Sequence, residues 1–255
     1  MPEFVIRQIP TRQDNYVYLA HDPSTGKTAV IDPSDAEPVR KVLAETGWKL
    51  THILNTHHHN DHIGGDAELK AEWNAIIVGP RADRDRIPGI DVEVGDHDTY
   101  TVGTQTAQVF DVPGHTRGHI AFWFPESRAL FCGDTIFMLG CGRLFEGTPE
   151  QMWTSIGKLR VLPKDTRVFC AHEYTQANAR FAITVDPENG ALADRKIRID
   201  AMRAEGKSTV PATLGEELET NPFLRADQPS VQQAAGIPGD AVATFAEIRR
   251  RKDHF

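Results

Sequence analysis

No run of apolar residues in this chain approaches the roughly 20 needed to cross a bilayer, so no membrane span is expected. The opening Met-Pro-Glu-Phe-Val offers neither the basic nor the apolar region of a secretory signal, and a cytoplasmic location is expected. Cysteine is scarce. Cys132, Cys141 and Cys170 are an odd number with no C-x-x-C pair, which argues against a disulfide framework and against a thiolate zinc site. Cys132 and Cys170 fall in apolar, strand-like runs and read as small buried hydrophobes; Cys141, in a Gly-Cys-Gly loop, is given no role. Cations are in deficit, with 28 Lys and Arg against 36 Asp and Glu for a formal charge of -8. A phosphate backbone requires the opposite excess, so nucleic acid is excluded as a general partner, and any anionic ligand must meet a local patch of cations.

What the chain does have is a concentration of histidine. Thr56-His57-His58-His59-Asn60-Asp61-His62 follows an apolar run over 50–54 that reads as a buried strand, and precedes Gly64-Gly65 and a helical pattern over 66–73. His57 and His59 leave one face of an extended segment, while His58 points the other way. Asp61 and His62 come where the chain must turn, aimed at a second position. A lone His is ordinarily a packed or surface residue. Here, however, titratable side chains crowd one loop, and desolvation and repulsion disfavour that unless a cation gathers them. The spacing predicts two metals.

At 255 residues and 40% apolar content the chain can hold a large domain with a smaller appendage. Segments 4–9, 16–20 and 28–31 read as an opening meander, with a polar turn at Asp14-Asn15 and an end at Asp32-Pro33. A helix is expected over 37–45, stopping at Gly47, and a strand over 75–78. The charged stretch 80–88, with Arg81, Asp83, Arg84, Asp85 and Arg86, is expected to be a solvated loop without a role. Strands over 92–94, 98–102 and 106–112 follow, the last running into Pro113-Gly114-His115-Thr116-Arg117-Gly118-His119. His115, just past the Pro-Gly turn, is taken as a ligand, and His119, which begins a strand over 120–124, as structural support. A strand over 128–132 ends in Gly133-Asp134, putting at its tip a carboxylate able to bridge two cations, and a strand over 167–171 ends in His172. His and Asp thus recur at successive strand ends, where rigid strands position ligands on loops. The set suits one site of His57, His59 and His115 and another of Asp61, His62 and His172, with Asp134 shared. Such nitrogen and oxygen ligation fits zinc, iron or manganese rather than calcium or magnesium.

The patterns T-H-x-H-x-D-H at 56–62, P-G-H-T-x-G-H at 113–119 and C-G-D at 132–134, with the late His172, resemble the metallo-β-lactamase superfamily. Within it, five segments resemble the hydroxyacylglutathione hydrolase (glyoxalase II) family: 56–62, Gly-Cys-Gly-Arg-Leu-Phe-Glu-Gly at 140–147, Ala-His-Glu-Tyr-Thr at 171–175, Asn-Pro-Phe-Leu-Arg at 221–225 and Arg-Lys-Asp-His-Phe at 251–255. The resemblance spans the chain. It implies an α/β (α+β) fold, an αββα sandwich followed by a smaller all-helical domain. In agreement, apolar alternation stops after Tyr174 and helical patterns run over 176–185, 191–204 and 241–252. A catalytic domain over 1–174 and a glutathione-binding domain over 175–255 are therefore expected. The family's ligands carry over to the same His and Asp residues, with Asp134 as bridge. For glutathione the resemblance implies Arg143, Phe145 through its backbone, Tyr174, Arg249 and Lys252. Arg143 and Phe145 stand where related enzymes can have Lys and Tyr, which keeps the cation and loses a phenol hydroxyl. Taken alone, Arg249-Arg250-Arg251-Lys252 reads as a wet helix end suited to the helix dipole. The resemblance assigns Arg249 and Lys252, three apart on one face, to a common carboxylate.

The activity so implied is two-metal hydrolysis, most simply with zinc, of S-(2-hydroxyacyl)glutathione to glutathione and a 2-hydroxy acid such as D-lactate. Asp61 is expected to hold the attacking hydroxide by a hydrogen bond. The chain is expected to act as a monomer on this small molecule. The alternatives from the same superfamily, a mononuclear-iron persulfide dioxygenase or a lactonase, have no use for a cationic helical tail.

Overall fold

In a computed structural model describing residues 3–255, the opening meander consists of β1 (Val5–Thr11), β2 (Asn15–His21) and β3 (Thr28–Ile31). The strands pair antiparallel with Val5 opposite His21 and Tyr18 opposite Ile31. Contacts divide the chain into two compact units, Met1–Asp111 with Arg117–Gly133, and Val112–Thr116 with Asp134–Phe255.

In the first unit the sheet continues in parallel. Helix α1 (Ala36–Thr46) carries the chain to β4 (His52–Leu54); α2 (Asn60–Ile63) and α3 (Asp66–Trp73) carry it to β5 (Ile76–Pro80), and β6 (Val92–Val94) completes the order β1 to β6. Parallel neighbours require such crossovers, and the helices so placed bury one face of the sheet. Helix α1 buries Ala36, Val39 and Leu43 at helical spacing, and ends at Gly47, whose φ of 72° suits a residue without Cβ and whose N–H bonds Leu43 O. Its apolar face, with Leu69 of α3, closes on Val17, Leu19, Val30, Ile53 and Ile77 of the sheet. Each such side chain, fully buried, contributes roughly 1.5–3 kcal/mol of transfer free energy. A second, antiparallel set, β7 (Thr99–Val102), β8 (Gln105–Asp111), β9 (Ile120–Phe124) and β10 (Ala129–Gly133), packs on the other face. Tyr18 meets Phe131 with ring centroids 5.7 Å apart, and Phe4 meets Phe124 at 4.9 Å. Helix, sheet and sheet are thus layered, and the chain leaves β3 and β4 at the same edge, where Asp32 N donates to Leu54 O.

The second unit opens with the short pair β11 (Ile136–Phe137) and β12 (Gly140–Cys141). Helix α4 (Pro149–Arg160) was not expected, yet Thr148 and Gln151 form a reciprocal capping box ahead of it and Pro149 occupies its first turn. After β13 (Arg167–Cys170) come α5 (Thr175–Val185), α6 (Gly190–Ala204), β14 (Ala212–Thr213), α7 (Leu214–Thr220), α8 (Pro229–Ala235) and α9 (Ala241–Asp253). Three of these helices match expected spans to within about a residue. The two-residue β14, paired with β13, interrupts the tail expected to be all helical. Phe181, Phe223, Phe245 and Trp153 form a chain of ring contacts joining α5, α9 and α4. The Asn-Pro-Phe-Leu-Arg motif is structural: Asn221 Nδ2 donates to Phe137 O and Gly140 O, and Arg225 pairs with Asp186 at 3.2 Å. Among the described residues no helix is long and apolar enough to cross a membrane.

Candidate metal centre

The loop after β4 is set by Asp32, held in a left-handed conformation (φ 50°) at the end of β3. Its carboxylate accepts from Thr56 N (2.7 Å), Thr56 Oγ1 (2.7 Å) and His62 Nδ1 (3.1 Å). These bonds fix the tautomers. Thr56 has given its only hydroxyl hydrogen to Asp32, so His57 Nδ1, 3.1 Å away, must donate to it. In the neutral imidazoles of His57 and His62 the lone pair then sits on Nε2, the nitrogen a metal ligand would use. His57 Nε2 faces His59 Nδ1 at 3.0 Å, and His62 Nε2 faces Asp61 Oδ2 at 3.5 Å. Asn15 Nδ2 steers that same carboxylate, donating to Asp61 Oδ2 at 3.1 Å. The His119 ring stacks on His57 with centroids 4.5 Å apart. A side chain at Gly133 (φ 48°) would collide with Thr56 Oγ1 and His119, so the Gly of Cys-Gly-Asp makes room for this backing layer.

In the second unit His115 Nδ1 donates to Arg143 O at 2.9 Å, which leaves its Nε2 as a lone pair facing Asp134 Oδ2 at 3.3 Å. The other oxygen, Oδ1, faces His172 Nε2 at 3.4 Å. Each oxygen of Asp134 thus faces a different imidazole. The Tyr174 ring lies parallel to His172 with centroids 4.7 Å apart.

Buried imidazole nitrogens converging with carboxylate oxygens are the donor set of zinc, iron and manganese. The residues present therefore fit a divalent metal. Among the described residues the His and Asp groups that could hold one are drawn from His57, His59, Asp61, His62, His115, Asp134 and His172.

The residues expected to meet glutathione all lie in the second unit. Arg143 is exposed, its Nε 3.6 Å from Asp253 Oδ1. Phe145 N–H donates to His115 O at 3.2 Å, and its exposed ring stands edge-on to His115 at 5.2 Å. Lys252 is half-buried; its Nζ donates to Ala177 O at 3.3 Å and lies 5.3 Å from the centroids of both Phe181 and Phe255. Burial first, then the charges of Arg249, Arg180 and Arg143, lowers its ammonium to about 8. Arg249 corrects the wet-helix expectation. It is only 5% exposed, donating to Cys141 O at 2.9 Å, paired with Asp253 at 2.9 Å and lying over Phe223. The helix end that looked solvated by composition packs one of its cations inward, onto the Gly-Cys-Gly loop. Cys141 is buried beneath it with its thiol pushed up to about 11 by burial.

Comparison with known proteins places the chain in a family. Residues 10–172 match the model of the Metallo-beta-lactamase superfamily, and residues 173–255 that of the Hydroxyacylglutathione hydrolase C-terminus. The chain belongs to the hydroxyacylglutathione hydrolase family. A family relative named hydroxyacylglutathione hydrolase from Methylococcus capsulatus is 58% identical over 251 residues, covering 98% of each chain, and one of the same name from Rhodospirillum rubrum is 55% identical over the same length and coverage. Among solved structures, ETHE1 from Myxococcus xanthus superposes with a TM-score of 0.70 at 25% identity, over 96% of this chain and 90% of that one. TTHA1623, solved in a di-iron-bound form, gives 0.61 at 26% identity, over 85% and 98%.

Sequence reasoning missed the supports of this family's metal loop. Asp32 and Asn15 were read as turn residues; their contacts reach 24 and 46 positions along the chain. The charged stretch 80–88 is likewise no idle loop, because Asp83 is buried, bonded to His58 Nδ1 at 3.0 Å and to Arg86 at 2.6 Å. An acidic residue among arginines carries no local sign of burial.

Proposed function

We propose that this chain hydrolyses S-(2-hydroxyacyl)glutathione thioesters, S-D-lactoylglutathione among them, to glutathione and a 2-hydroxy acid. What carries the reading is the conjunction of the His and Asp donor set with a C-terminal third matched by the Hydroxyacylglutathione hydrolase C-terminus model. That match favours the hydrolase over the dioxygenase and lactonase alternatives. His57, His59 and His115 would hold one divalent cation and Asp61, His62 and His172 a second, with Asp134 available to both. The two-oxygen presentation of Asp134 supports a two-metal centre, as does the di-iron form of a related structure. Zinc is the metal proposed. When bound, such a pair acidifies water towards neutrality and polarises a carbonyl.

The chain's own side chains do the rest. Asp61, aimed by Asn15, accepts a hydrogen bond from the attacking water and so points its lone pair at the thioester carbon. Asp32 and Thr56 keep His57 and His62 in the tautomers that leave Nε2 bare. Lys252, Arg143, Tyr174 and the Phe145 backbone hold the glutathione half, with Arg249 acting through the Cys141 loop it braces. The thiolate leaves with little need of a proton donor. A C-terminal domain beginning at residue 175 supplies Lys252 and Arg249 to that half, and the enzyme works as a cytoplasmic monomer. Thioester loss followed by absorbance, with metal content measured on the same sample, tests this. Hydrolysis of S-D-lactoylglutathione with about two metal equivalents per chain is expected; a pure sample loaded with metal but inert towards it would overturn the assignment.

A further inference from the structure

Lys252 is held on α5 at two points, Ala177 O and the ring of Phe181. Arg180 lies between them on the same helix, three residues after Ala177 and one before Phe181, and side chains three apart on a helix start about 5–6 Å from one another. It is exposed, and among the described residues no hydrogen bond or ion pair engages it. Asp200, an acid that feels its charge, is already taken by Lys196 Nζ (2.6 Å) and Gln176 Nε2 (2.9 Å). Around Lys252 the charges are Arg143, Arg180 and Arg249 against Asp253, and Asp253 is itself shared between Arg249 (2.9 Å) and Arg143 (3.6 Å). Three arginines therefore surround Lys252 at the α5–α9 contact with Asp253 as the acid set against them, in a chain that carries net negative charge. Repulsion of this kind is tolerated where an anion is meant to fill it.

We propose that Arg180 is a specificity-determining residue, completing with Lys252 and Arg143 a cradle for a carboxylate of the substrate's thiol half. This rests on the glutathione-thioester reading above. Arg180 supplies a forked donor that suits a carboxylate, and its freedom from internal partners means that ligand binding breaks no existing bond. The group is far from the reacting carbonyl in role: it contributes binding equally to ground and transition states, so its removal acts on KM.

The test compares Arg180→Ala and Arg180→Lys with the unmodified holoenzyme, using S-D-lactoylglutathione and a lactoyl thioester whose thiol half carries no carboxylate. Binding of S-methylglutathione, a thioether that cannot be hydrolysed, is measured by calorimetry on the same samples. Arg180→Ala should raise KM for the glutathione thioester about three- to five-fold, the range for an exposed charge, with kcat unchanged. It should leave the carboxylate-free substrate unaffected and weaken S-methylglutathione by the same factor. Arg180→Lys should restore most of the loss. Unchanged binding in Arg180→Ala, or equal losses on both substrates, overturns the role of Arg180. Should the unmodified enzyme bind S-methylglutathione without hydrolysing the thioester, the activity assignment fails while the Arg180 effect on binding still decides this proposal. Absence of any S-methylglutathione binding overturns both.

Discussion

His57 and His62 in the first unit are aimed by side chains, Thr56 and Asp32, and Asp61 by Asn15. In the second unit His115 is aimed by a backbone carbonyl, that of Arg143, and His172 lies against the Tyr174 ring. The difference is one of vulnerability. A ligand oriented by another side chain depends on that residue's identity, and the dependence spreads through a shared carboxylate: Asp32 alone serves Thr56 and His62. A ligand oriented by a carbonyl depends on the path of the loop and tolerates exchange of the residue that supplies the carbonyl.

The largest effect should come from the carboxylate that two imidazoles of the second unit share. Asp134→Ala removes the carboxylate that faces both His115 and His172. Metal content should fall well below that of the unmodified enzyme and kcat/KM by about 10³-fold or more, since the contribution of a correctly held metal amounts to several kcal/mol. A variant that kept full turnover with one metal equivalent would sink the bridging role. Next, Asp32→Asn tests the side-chain mode. Asn also tolerates the left-handed backbone found there, so the loop should keep its path while the acceptor for His62 weakens. A loss of about 10- to 100-fold in metal affinity is expected, as for other partners of metal-binding histidines, read by competition with a chelator. Arg143→Ala, which retains the carbonyl, should leave metal affinity unchanged. Equal losses in the two variants would erase the distinction between the units.

The same contrast explains what could be read beforehand. The metal loop was legible because its ligands alternate within a few residues after a buried strand, and Asp134 and His172 because each terminates an apolar run. Helix α3 was legible from its pattern and α1 from Gly47. The supports were not, because burial of Asp32, Asn15 and Asp83 is decided by strands and loops distant in sequence, and each looks locally like an ordinary turn or solvated residue. Helix α4 was in principle legible from Thr148-Pro149-Glu150-Gln151, whereas the inward turn of Arg249 depends on the Cys141 loop, to which its separation is 108 residues.

The smallest effect separates binding from chemistry within the second unit. Lys252 is charged below about pH 8 and neutral above it, because burial and then the charges of Arg249, Arg180 and Arg143 lower it from the usual lysine value. Its attraction for a substrate carboxylate is therefore fully present on the acid side and lost as pH rises through 8. For a half-buried group near solvent this attraction is about 1 kcal/mol, or roughly five-fold. The ratio of kcat/KM for S-D-lactoylglutathione to that for a carboxylate-free thioester cancels titrations at the metals, which both substrates share. It reports the free enzyme, and should be flat to about pH 8 and then decline by roughly that factor. In Lys252→Arg the break should vanish, because a guanidinium stays charged throughout this range. Persistence of the break in Lys252→Arg would move the titrating group elsewhere and leave the α9 lysine a packing residue on Phe181 and Phe255.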